Sequence, residues 1–162
     1  MSTTKSSTTN TRSKSKPRDA IAMLRADHKA VDALFEQYKK TRLAAKKSAL
    51  AAQICLELTV HAQAEEEIFY PAVKAALKDK ALIPEAIVEQ ATMKALIEQI
   101  RNAAPGDEEF EARVMVLCEY VKHHVKEEHT EMFPKAKATK LDMLALGARL
   151  SARKEELLAQ HG

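Results

Sequence analysis

Apolar positions along the chain recur at the 3.6-residue helical period and predict five helical segments. The first runs from about Arg18 to Thr41, with Ile21, Leu24, His28, Val31 and Phe35 on one face. The second runs from about Ala44 to Leu77, aligns Ile54, Leu58, His61, Glu65 and Phe69, and should kink at Pro71. A third spans Pro84 to Asn102, and a fourth runs from an N-cap at Asp107 to Lys137. The fifth begins near Asp142 with the amphipathic run LDMLALGARLSARKEELLAQ. No period-two alternation competes. Four long helices with short connections predict an all-α, up-down four-helix bundle with an additional C-terminal helix. The expected domains are a tail over residues 1–17, the bundle over 18–137 and the C-terminal amphipathic helix over 138–162. That last helix should pack on the bundle or at a dimer interface, so a monomer or a homodimer is expected.

Composition leaves this picture in place. Hydrophobic residues make up 46% of the chain and charged residues 30%, with three glycines in 162 residues, a balance that favours a soluble helical fold. No apolar run approaches the roughly 20 residues of a membrane span, so no membrane partner is expected. Charge changes the picture more. Of the net +3, residues 1–16 contribute +4 through Lys5, Arg12, Lys14 and Lys16, which leaves −1 for the rest. The body therefore offers no nucleic-acid surface, and the Ser/Thr-rich basic tail reads as disordered. Two cysteines, Cys55 and Cys118, are too few for a disulfide scaffold and fit a cytoplasmic protein.

Candidate chemistry comes from a repeat. Helix two contains CLELTVHAQAEEEIFYP and helix four contains CEYVKHHVKEEHTEMFP. In each, a cysteine lies six residues before a histidine (His61, His124), a glutamate four after it (Glu65, Glu128) and a proline ten after it (Pro71, Pro134). One His-x-x-x-Glu is common on helix surfaces, but here both pairs lie on apolar stripes. On an ideal helix Leu117, Val121, Val114 and Val125 fall within an arc of about 100° that also holds His124 and Glu128. A bare carboxylate there costs several kcal/mol. No Lys or Arg shares the inner stripes, which makes a metal ion the economical partner. His28 lies on the matching face of helix one.

With these residues the chain resembles the hemerythrin-like HHE cation-binding domains. The motifs are RADHKAVDALFEQ around His28, HAQAEEEIFYPA around His61 and Glu65, and HHVKEEHTEMFP around His124 and Glu128. The resemblance covers about residues 18–137. It implies a non-haem iron centre of two ions inside the bundle. His28, His61 and His124 would be terminal ligands, and Glu65 and Glu128 bridging carboxylates. The implied partners are dioxygen, nitric oxide or peroxide, or the centre serves iron homeostasis. The third helix departs from the pattern: VEQATMKALIEQI places Gln90 on the inner face where the family has a histidine, so Gln90 is a weak metal ligand, a core amide or a hydrogen-bonding support behind the ligands.

Two other readings stay open beside this one. The same centre could catalyse iron oxidation or peroxide breakdown, or the chain could be a metal-poor structural bundle, with Gln90 as its best support. His123 and His129 are read as bystanders outside the ligand set. Glu66, Glu67 and Glu127 are read as exposed carboxylates, Cys55 and Cys118 as buried apolar residues, and Phe69, Phe133 and Tyr70 as packing. Tyr38 could reach the site.

Overall fold

The structure, a computed structural model, describes residues 18–104 and 106–161. The basic tail assigned to residues 1–17 lies outside the described residues. Asp19 opens the first helix by accepting the Ala22 N–H at 2.7 Å, and α1 spans Ala20–Lys40. α2 spans Ala44–Ala64, α3 Tyr70–Ala76, α4 Leu82–Asn102, α5 Phe110–Glu127, α6 Phe133–Lys137 and α7 Met143–His161. Among the described residues there is no strand, and no helix is long and apolar enough to cross a membrane.

The segments expected as single helices two and four are each interrupted by one wide π turn, at Glu65–Phe69 and at Glu128–Met132. The prolines account for both. Pro71 and Pro134 cannot donate a backbone hydrogen bond, and in a regular helix each ring would press on the carbonyl four residues back. The helix widens instead. Tyr70 N–H reaches back five residues to the Glu65 carbonyl, and Phe133 N–H does the same to Glu128. The expected kink at Pro71 is thus a π turn, repeated at Pro134. Asp107 does not cap helix four, which begins at Phe110. Its carboxylate instead accepts the Glu109 N–H at 3.0 Å and pairs with Arg113.

α1 packs on α2, α2 on α4 and α4 on α5, which makes the bundle, while α7 lies across α1, α2 and the first π turn. The core has two apolar layers. One gathers Ile21, Leu24, Phe69, Val73, Phe133 and Leu150, and the other Val31, Phe35, Ile54, Leu117 and Cys118. Residues 28, 61–65, 90 and 124–128 fall between these layers on their helices, and the buried polar side chains lie there.

Candidate metal centre

Among the described residues five polar side chains are buried, between the apolar layers: His61, Glu65, Gln90, His124 and Glu128. Glu65 is 0% and Glu128 1% exposed, and each is the first residue of its π turn. His28 joins them from α1. Its Nε2 lies 3.2 Å from His61 Nε2 and 3.7 Å from Glu128 Oε1. His61 Nε2 is 2.7 Å from Glu65 Oε1, and His124 Nε2 is 2.8 Å from Glu128 Oε1. Ligand atoms of His28, His61, Glu65 and Glu128 all lie within 4.8 Å of one another. Atoms bound about 2.1 Å from one ion sit ~3 Å apart, so these spacings suit a shared cation.

Three of the four carboxylate oxygens make no hydrogen bond of good geometry, although His124 Nε2 stands close to one of them. Glu65 Oε2 and both Glu128 oxygens are buried with no hydrogen-bond partner. Among the described residues no Lys or Arg pairs with either carboxylate. Leaving such oxygens dry and unpaired costs several kcal/mol, which a cation between them removes.

Surrounding groups fix the ligands. His61 Nδ1 lies 2.9 Å from Asp27 Oδ2, and Lys154 of α7 donates to the other Asp27 oxygen. Asp27 holds the Nδ1 proton of His61, so the ring presents Nε2 to the centre, where a metal would replace the second proton, an arrangement typical of a metal-bound imidazole. Gln90 is 1% exposed. Its amide N–H group donates to Glu65 Oε1 and to the Tyr70 hydroxyl, both at 3.0 Å, while its Oε1 has no partner. The Tyr70 hydroxyl lies 3.1 Å from His124 Nε2. The centre therefore has two lobes joined by the carboxylates: His28 and His61 on one side, His124, Tyr70 and Gln90 on the other.

Burial and neighbouring charge set the protons. Burial, reinforced by the charge of His61, pushes His28 down to about 3, which leaves its imidazole neutral. Burial and the Glu65 charge push the Glu128 carboxyl up to about 7. Burial alone would lower His124, but the Glu128 carboxylate beside it raises the imidazole to about 9. Burial likewise pushes Glu65 up, and the charge of His61 more than offsets it, leaving that carboxyl low. A metal entering near neutral pH must displace the protons on Glu128, His124 and His61, the last held charged by Glu65 and Asp27. Affinity of the metal-free protein for Zn²⁺ should therefore rise between about pH 6 and pH 9, about tenfold per unit for each proton displaced. Competition against a chromophoric chelator measures this, and a flat profile would contradict the arrangement.

The enclosed cavity at the centre holds about 30 Å³, room for roughly one or two water-sized molecules. Leu58, Met93, Ile97 and Val121 give it apolar walls. A wider groove between α1 and α5, flanked by Arg25, Lys29 and Lys122, has His28 and His129 among its lining residues.

The structure thus brings together His28, His61, Glu65, Gln90, His124 and Glu128. It moves two residues read as peripheral. His129 Nε2 lies 2.9 Å from His28 Nδ1, so the edge of the α5 stripe that carries it faces α1. Tyr70, read as packing, presents its hydroxyl to the site through the first π turn. The signal for Tyr70 was the proline that follows it. Glu66 and Glu67 are engaged by Lys94 and Arg153. Tyr38 stays away from the centre, in the other apolar layer under Lys47. Cys55 and Cys118 are buried free thiols, and burial pushes Cys55 up to about 11.

Comparison with known proteins bears on the family and the fold. The profile of the family described as the Hemerythrin HHE cation binding domain matches residues 19–136. A protein named DNA nickase from Nostoc sp. (strain PCC 7120 / SAG 25.82 / UTEX 2576) is 36% identical over 111 residues, which are 68% of this chain. The matched part is 31% of that protein, so the chain spans about a third of its length. The crystal structure of a hemerythrin HHE cation binding domain-containing protein from Mycobacterium kansasii, an Rv2633c homologue, shares the fold. Its TM-score is 0.76 at 22% identity, over 88% of this chain and 89% of that one. With residues 19–136 matched and a His/Glu cluster at its core, the chain belongs to the hemerythrin HHE cation-binding domain family.

Proposed function

We propose that the buried cluster holds a non-haem iron centre of two ions that reacts with dioxygen, nitric oxide or peroxide. The observation that carries this reading is the pair of fully buried carboxylates whose unpartnered oxygens face three histidines. The two lobes of donors support two ions: His28 and His61 for one, His124 with Tyr70 and Gln90 beside the other, Glu65 and Glu128 between them. Imidazole with carboxylate suits iron among the available divalent ions. Bound iron would supply redox chemistry and open coordination positions for a small ligand.

The chain's own residues determine what reaches that position. Leu58, Met93, Ile97 and Val121 exclude bulk water, and the small cavity favours a diatomic ligand or peroxide over larger substrates. Tyr70 holds a proton at its hydroxyl. Burial and the charge of Glu65 raise it well above the ordinary tyrosine range, so at neutral pH the group is a donor. That proton favours, as a second reading, peroxide breakdown at the same centre. The buried thiols of Cys55 and Cys118 fit a reducing, cytoplasmic setting.

Metal analysis and an absorption spectrum after iron-replete expression test the first reading. Two irons with oxo-bridge charge-transfer bands are expected, and a metal-free protein overturns it. Steady oxygen release from hydrogen peroxide would favour the second. Gln90 gives a sharper test, because its unpartnered Oε1 is buried at the centre. Gln90→His should tighten metal binding by ~10-fold by adding an imidazole donor. Unchanged affinity and stoichiometry would place Gln90 outside the coordination sphere.

A further inference from the structure

We propose that Glu89, His123 and Glu127 form a second, peripheral site for a divalent transition-metal cation, in series with the buried centre. Glu89 comes from α4, and His123 and Glu127 from the last turns of α5. One ligand atom from each lies within 4.8 Å of the others. His123 Nε2 is 3.1 Å from Glu127 Oε1 and 3.6 Å from Glu89 Oε2.

An exposed helical ion pair would account for His123 and Glu127 alone. It leaves Glu89 with the charge of His124 nearby but without a hydrogen bond. Its Oε2 is buried without a hydrogen-bond partner, although it faces two imidazoles: exposed His123, and His124 at 3.6 Å from Nδ1. His124 is itself only 5% exposed in its side chain, and its Nδ1 has no partner either. A buried, unpartnered ring nitrogen is therefore aimed at the carboxylate that closes the outer cluster. A cation held by Glu89, Glu127 and His123 satisfies the idle Glu89 oxygen. One imidazole and two carboxylates, with water completing the sphere, suit Fe²⁺, Mn²⁺ or Zn²⁺.

The position gives this site a role. A small cavity is lined by Glu89, Glu127, His124 and Glu128 together with Leu82, Ala86 and Met132. Glu89 faces both His123 and His124, so a cation passing inward is handed from Glu89 and Glu127 toward Glu128. The binding site stands on its own residues; its role in loading the centre rests on the proposed function.

The experiment is Zn²⁺ equilibrium dialysis of chelator-treated full-length protein, compared with H123A/E127Q, the isosteric E89Q, and H61A/E65Q at the centre. H123A/E127Q and E89Q should each lose one weakly held equivalent, while H61A/E65Q keeps that equivalent and loses the tight metal. Unchanged stoichiometry in both H123A/E127Q and E89Q overturns the site, as does its disappearance in a folded H61A/E65Q. A wild-type protein that binds only the equivalent removed by H123A/E127Q would sink the buried-centre reading and leave this site intact. For the loading role, anaerobic Fe²⁺ uptake into a chelator-resistant form should slow about tenfold in H123A/E127Q with the final tight content unchanged. Equal uptake rates overturn the loading role.

Discussion

Replacing Glu128 by glutamine is expected to weaken metal binding sharply and, at the same time, to make the metal-free protein more stable. The two effects have one origin. Without metal, the fold holds two carboxylates in a dry layer with three of their four oxygens unpartnered. Glutamine at Glu128 keeps its shape and removes the charge that burial and neighbouring Glu65 oppose, whereas Glu65 keeps its pairing with His61, so the metal-free fold should gain ~1–3 kcal/mol. The gain has a predictable pH dependence. Glu128 is raised to about 7 in the fold, against an ordinary value near 4.5. Its contribution to stability is fully present below about pH 4.5 and is lost as pH rises through 7. The advantage of the variant should therefore be largest at pH 8 and shrink toward pH 5. Urea unfolding in the presence of chelator, with metal analysis of the same preparations, checks both halves. A hydrogen-bonded network built without any metal would give the opposite sign, because glutamine would then break contacts that stabilise the fold.

Gly147→Ala should be among the most damaging single substitutions, and again against the usual sign. At an exposed helical position, glycine to alanine stabilises by up to about 1 kcal/mol. Gly147 is buried where α7 crosses the start of α1. A Cβ there would stand 2.1 Å from the Arg18 carbonyl oxygen and 3.0 Å from Ala20 N and the Asp19 carbonyl carbon. All three are backbone atoms beside the Asp19 cap, and none can rotate away. Relief requires α7 to move off α1, or the first turn of α1 to open. The expected loss is ~3 kcal/mol, seen as a fall of about 10 °C in thermal midpoint. A change smaller than about 1 kcal/mol would mean that α7 can shift at little cost.

How much of this could be read from residues alone follows from where α-helical geometry holds. His28, His61 and His124, with the apolar residues beside them, lie in regular helix, where 100° per residue places every side chain. Their faces were legible, and so was the inward direction of Gln90. Glu65 and Glu128 were legible because each is the first residue after the regular stretch. Past them the rule fails. The first π turn slows the rotation, so Tyr70 arrives at the centre although a regular helix would aim it elsewhere, while His129 meets the outer nitrogen of His28 from the edge of its stripe. The prolines ten residues after each histidine were the available clue, since each ring must disturb the turn before it. Asp27 was not legible at all. It neighbours His28 in sequence yet supports His61, and it is held there by Lys154 from another helix. Such a contact depends on how α7 docks, which local periodicity does not encode.

The chain of contacts from Lys154 through Asp27 to His61 makes the C-terminal helix a party to the thermodynamics of the centre. Polar groups behind a metal ligand are typically worth 10–100-fold in affinity. Docked α7 and bound metal are then two linked equilibria, and linkage is reciprocal. Whatever peels α7 from the bundle weakens the metal's hold, and the metal, once held, fastens α7 by the same free energy. A helix that supplies no ligand thus sets the affinity of the centre, and amide exchange along α7 would report whether metal is bound.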